Sequence, residues 1–164
     1  MCRNDVKEFV RKLDALCQYL DLNFKINEGG CCYIAYEISK YLSKLHIPFS
    51  LRVEAHEFKD VQNISLEIKN RTPNNDSWDS IVGHGTCSHY FIWLPGYQLA
   101  INSDCSDVTK SIEIPVTSKQ LKWIYKQGKW NSTYRLSSNT YVKKYLKLFF
   151  NEQFRKRSPF RRHS

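Results

Sequence analysis

Apolar residues at Val6, Phe9, Val10, Leu13, Leu16, Cys17 and Leu20 recur at steps of three and four, with charges between them. That period predicts an amphipathic helix over residues 5–20. A polar connection follows, and Gly29-Gly30 breaks the chain before a second helix over 31–45. The stripe of that helix is Ile34, Ala35, Ile38, Leu42 and Leu45, and Pro48 predicts its end, because proline disfavours helix in the residue before it. The period then changes to two. Alternation predicts strands over 51–58, 61–68, 89–94 and 97–102, the last two joined as a hairpin across Pro95-Gly96. Residues 69–86 are polar and turn-rich and read as a long loop, with a further short strand at 111–115. Thr117 or Ser118 opens a helix that stops before Gly128, and 138–153 reads as a last amphipathic helix. Helices, then a run of antiparallel strands, then helices predict an α+β fold.

The 164 residues suffice for one domain, and 41% apolar with 14% aromatic content excludes a disordered chain. One domain is expected over 1–153, with a disordered basic tail over 154–164. Five of the net nine positive charges fall in the last ten residues, as Arg155, Lys156, Arg157, Arg161 and Arg162. The body is therefore only mildly basic, and nucleic-acid or acidic-partner binding is confined to a candidate region, 155–164. No stretch reaches the roughly 18 apolar residues of a membrane span, and the charged N-terminus lacks an apolar signal core. A cytoplasmic protein is expected. In that setting the Asn-x-Ser/Thr triplets at Asn63, Asn70 and Asn131 carry no glycan, and the six cysteines remain thiols.

Among those thiols Cys31 and Cys32 stand out, because they open a helix directly after two glycines. The N–H groups and dipole of a helix start favour a thiolate, and the Cys31 main-chain N–H is a candidate oxyanion donor. A base must come from elsewhere in the chain. His89 opens the first hairpin strand, and the hairpin returns Asn102 or Asp104 to its side. That places an orienting group beside an imidazole, the layout of a catalytic triad.

The segment GGCCYIAYEISKYLSKLHIPFSLRV resembles the transglutaminase-like core motif: Gly-x-Cys, Ala four residues on, a Leu-rich helix, and Ile-Pro at plus sixteen and seventeen. Counted from Cys31, these fall on Ala35, Leu42, Leu45, Ile47 and Pro48; counting from Cys32 loses the register. HYFIWLPGYQLAINSD is similar to the His strand, turn and Asp strand of that family. The resemblance implies a papain-like fold, with Cys31 as nucleophile, His89 as base, and Asn102 in the place of an aspartate. Asp104, of the same strand parity, is the alternative. The substrate implied is a peptide or protein, attacked at an amide carbonyl. Hydrolysis is favoured over acyl transfer, because nothing marks a site for an amine.

Further candidates around this centre are Gly30 and Asn27 for the oxyanion, and Trp78 and His84 for substrate. Three have a plain alternative: Asn27 as a turn residue, Trp78 as a loop anchor, His84 as a loop-structuring histidine. His84, Cys87, His89 and Cys31 together hold zinc-type donors, but their spacing matches no closed structural site, so no metal and no cofactor is expected. The competing function is a non-catalytic module of the same fold that uses its basic end to bind.

Overall fold

The computed structural model describes residues 3–55 and 87–157, apart from 105, 128–133 and 135. The elements are α1 (Arg3–Phe24), α2 (Cys31–Lys44), β1 (Ser50–Ala55), β2 (Cys87–Leu94), β3 (Leu99–Ile101), β4 (Ser111–Ile114), α3 (Ser118–Gln127) and α4 (Asn139–Arg157). The fold is α+β. The strand predicted at 61–68, the far end of that at 51–58, and the loop at 69–86 lie outside the described residues.

The four strands form one antiparallel sheet in the order β3-β2-β1-β4. Their register places Ile101, Ile92, Leu51 and Ile114 directly opposite one another, a row of four apolar residues across the sheet. All four are buried. β-Branched and leucine side chains in such a row pack on each pleated neighbour. α2 lies against β2 and buries Ile34, Ile38 and Leu42, while α3 and α4 pack on α2, and α1 packs on β3 and α4. The α1–α4 seam is aromatic: Phe9 meets both Phe149 and Phe150, and Phe150 stacks on Tyr41 at 4.2 Å. On the other face of the sheet, the Arg52 guanidinium lies 4.4 Å from the Trp93 ring centroid and donates to Ser111 Oγ at 3.1 Å.

Helix ends follow local chemistry. α1 stops at Lys25, in the left-handed region with φ 57°, whose N–H donates back to the Asp21 carbonyl. α2 stops at His46, φ 56°; Ile47 N–H reaches the Leu42 carbonyl and His46 N–H the Ser43 carbonyl. That is a Schellman closure, so the helix ends two residues ahead of Pro48 by its own hydrogen bonds. Thr117 caps α3 in a reciprocal box: Gln120 N–H donates to Thr117 Oγ1, and Thr117 N–H donates to Gln120 Oε1.

Two departures from the sequence expectation have clear causes. The hairpin loop is longer than Pro95-Gly96, because Tyr97 N–H closes a turn on the Leu94 carbonyl and Gln98 adopts φ 53°, so β3 begins only at Leu99. α4 continues past residue 153 to Arg157. Phe154, one turn beyond Phe150, packs against the core and draws the helix with it, so Arg155 and Lys156 are helical and exposed. Residues 158–164 lie outside the described residues. No helix among the described residues is long and apolar enough to cross a membrane.

Candidate active site

β3 has only three residues, and its pairing with β2 ends at Ile101–Ile92. Beyond that point the first half of β2 is flanked by the start of α2: Cys31, Ile34 and Ala35 line one crevice with Tyr90, Ile92, Ile101 and Asn102. The short strand thus makes room for the helix N-terminus beside His89 and Tyr90. The register of β2 also slips here. His89 faces Glu54, but Ala55 faces Cys87, which leaves Ser88 as an extra residue in the strand. A bulge of this kind re-aims the neighbouring side chain and is common beside active sites.

Gly30 precedes Cys31 as the helix N-cap residue, and no side chain caps the helix. A Cβ at Gly30 would lie 2.7 Å from the Ile26 carbonyl oxygen and 2.8 Å from the Tyr134 ring. The space glycine leaves is therefore filled by the chain itself. Close approach is required here, by Ile26 and Tyr134 rather than by an outside group. Tyr134 is held in turn: its N–H donates to the Glu28 carbonyl at 3.1 Å, and its hydroxyl donates to Asn139 Oδ1.

Cys31 and His89 form a hydrogen-bonded pair, each 6% exposed. The hydrogen bond from Cys32 is the largest influence holding the Cys31 thiol well below its ordinary range; burial opposes it, and the His89 hydrogen bond, the His89 charge and the Tyr90 main-chain N–H act with it. Burial alone would lower the His89 pKa. The hydrogen-bonded Cys31 thiolate and its charge, the Asn102 main chain and the charge of Asp104 outweigh burial, so the imidazolium persists above its usual range. Both shifts run in the direction that favours a thiolate–imidazolium pair. Cys17 is the internal contrast. It is a free, buried thiol like Cys31, but burial and the charges of Asp14 and Asp21 push its pKa up.

The second His89 nitrogen, Nε2, lies 2.7 Å from the Asn102 main-chain oxygen. A carbonyl can only accept, so Nε2 carries a proton and Nδ1 is the nitrogen that faces the thiol chemistry. Asn102 orients the imidazole through its main chain, with φ 61°. Its side chain points elsewhere. Asn102 Nδ2 donates to Asn27 Oδ1 at 2.9 Å, and Asn27 Nδ2 donates to Asn102 Oδ1 at 3.1 Å. Asn27 is accordingly a strut for the turn after β3, its amide occupied there rather than turned to an oxyanion. Asp104 is exposed, at φ 50°, and acts on His89 by charge. Trp78 and His84 lie outside the described residues. No group of three or more His, Cys, Asp or Glu suited to a metal occurs among the described residues.

Three contributors were not legible in the sequence. Cys32 looked like a packed neighbour of Cys31, and Tyr90 acts through its backbone. Asp14, in the middle of α1, accepts the Asn102 N–H at 2.8 Å. Its only signal was a carboxylate on the flank of the buried stripe, and it is half-buried.

No protein family, no curated protein and no solved structure matches the chain.

Proposed function

We propose that this chain is a papain-like cysteine enzyme of the transglutaminase-like type, which cleaves peptide or amide bonds. The observation that carries the reading is the Cys31–His89 pair at the start of α2, with His89 Nε2 fixed on the Asn102 carbonyl at 2.7 Å. In the reaction, Cys31 Sγ attacks the carbonyl carbon, and the C=O electron pair moves onto oxygen. The Cys31 main-chain N–H at the first position of α2 donates to that oxyanion. His89 then gives its Nδ1 proton to the leaving amine as the C–N bond breaks. Water, deprotonated by His89, attacks the thioester and releases the acid, returning the thiolate–imidazolium pair. The reaction proposed is hydrolysis, with water as the second substrate.

The ion pair exists between the depressed Cys31 pKa and the raised His89 pKa. Below the first the thiolate is lost; above the second the proton donor is lost. Turnover of an amide should therefore be bell-shaped in pH, with both limbs belonging to the pair. The first test is alkylation by iodoacetamide. Cys31 should react at pH 6 at least tenfold faster than an ordinary thiol, and His89→Ala should abolish the advantage. Ordinary reactivity of Cys31 at every pH would sink the enzyme reading.

Burial of both reacting groups, together with the exposed Lys143, Lys144, Lys147, Arg155 and Lys156 on α4, favours one second reading. In it the fold is a binding module for nucleic acid or an acidic partner. Its signature would be an unreactive Cys31 combined with salt-sensitive nucleic-acid binding that Arg155→Glu with Lys156→Glu removes.

A further inference from the structure

α1 carries two carboxylates that face the site from outside it. Asp14 Oδ1 accepts the Asn102 N–H at 2.8 Å, and Asp21 Oδ1 accepts the Asn27 N–H at 2.9 Å. Seven residues are close to two helical turns, so both carboxylates lie on one face of α1. One therefore grips the turn that follows β3, and the other grips the loop that leads into Cys31. The Asn27–Asn102 amide pair then stitches those two segments together. The peptide groups on either side of Asn102 Cα are thus both committed: N–H to Asp14, carbonyl to His89.

We infer that Asp14 is a positioning residue for the Cys31–His89 pair, acting by fixing the Asn102 main chain so that its carbonyl receives the His89 Nε2 proton. The inference rests on the function proposed above, and it adds a residue that touches neither reacting group. Asn102 stands in the left-handed region, where an isolated residue gains no support from neighbouring secondary structure. Its N–H bond to a carboxylate is of the stronger, charge-assisted kind. Without that bond the peptide is free to rotate, and the carbonyl swings off Nε2. The imidazole then has no reason to keep its proton on Nε2, and the pair with Cys31 loses its alignment. Asp14 itself is raised by burial, which the Asn102 N–H opposes. It is a group whose burial is tolerated because of the bond it makes.

Two readouts on the full chain test this. The first is the ¹⁵N shift of the His89 ring, which reports the tautomer directly above the imidazolium range. The second is the iodoacetamide rate of Cys31 at pH 6. Wild type should show protonated Nε2. Asp14→Ala should give mixed tautomers and about a tenfold slower alkylation, the size expected for losing a hydrogen bond to a charged partner. Asp14→Asn retains an oxygen that accepts the Asn102 N–H and should keep the Nε2 tautomer, with a rate within about threefold of wild type. A purely structural role would lower thermal stability in Asp14→Ala and leave both readouts unmoved in the folded protein, and that result overturns the inference. If Asp14→Ala does not fold, Asp14→Asn decides: mixed tautomers in that variant, with its acceptor intact, would equally overturn it. A wild-type Cys31 of ordinary reactivity, with tautomers still dependent on Asp14, would remove the enzyme proposal and leave the positioning role standing.

Discussion

Gly30→Ala tests how the helix start is packed. The added methyl would meet the Ile26 carbonyl oxygen at 2.7 Å and two Tyr134 ring atoms at 2.8 Å. The backbone angle is not the obstacle, because Gly30 has φ −101°. The obstacle is that neither neighbour has anywhere to go. Ile26 is fully buried, and its carbonyl is part of the main chain; Tyr134 is 6% exposed and tied to Glu28 and Asn139. Overpacking of this kind costs about 1–3 kcal/mol. At about 2–4 °C per kcal/mol for a chain of this size, Tm should fall by roughly 6 °C in thermal unfolding followed by circular dichroism. Tyr134→Ala should recover part of that loss in the double variant, giving a coupling of about 1 kcal/mol, while the Ile26 contact remains. A Tm within about 1 °C of wild type, with no coupling to Tyr134, would refute the idea that the glycine is demanded by the chain's own packing.

Asn102→Gly keeps both the left-handed backbone and the carbonyl that His89 uses, so Cys31 alkylation at pH 6 should stay within about threefold of wild type. Asn102→Val puts a β-branched residue at φ 61° and should lose most of that reactivity; equal behaviour of the two would place the function in the amide side chain instead. Cys32→Ala removes the largest influence holding the Cys31 thiol down. The rise of alkylation with pH should therefore move to higher pH, and an unmoved profile would leave His89 and Tyr90 as the sole causes.

Much of this was legible in the chain, for reasons that differ by element. α1 and α2 announce themselves because a buried stripe repeats over about four turns or more, and β2 because a short apolar run of β-type residues ends in a turn. The helix start that carries Cys31 and the hairpin strand that carries His89 were likewise readable. Register details were not readable. The slip at Ser88, the short β3 and the Schellman closure at His46 depend on main-chain hydrogen bonds, which side-chain pattern does not encode. The same reason hid the role of Asn102. Sequence can nominate an amide side chain as an orienting group, but it cannot show that the carbonyl of the same residue does that work. Asp14 was invisible because its partner is a backbone N–H 88 positions away. The last helix runs four residues further than its pattern predicts, to Arg157, because Phe154 lies one turn beyond Phe150 and packs on the same core.

The clamp between the Asn27 loop and Asn102 spans 75 positions. During synthesis Cys31 leaves the ribosome well before His89 and Asn102. At roughly 5–20 residues per second, that gap lasts on the order of 4–15 s. Throughout it Cys31 has Cys32 beside it but neither His89, nor the Tyr90 main chain, nor the Asn102 carbonyl. On the function proposed above, a nascent chain therefore lacks its base and the group that orients it. The Cys31–His89 pair comes together only when the return strand of the hairpin docks against α1, which couples the assembly of the proposed centre to the β2–β3 edge of the sheet.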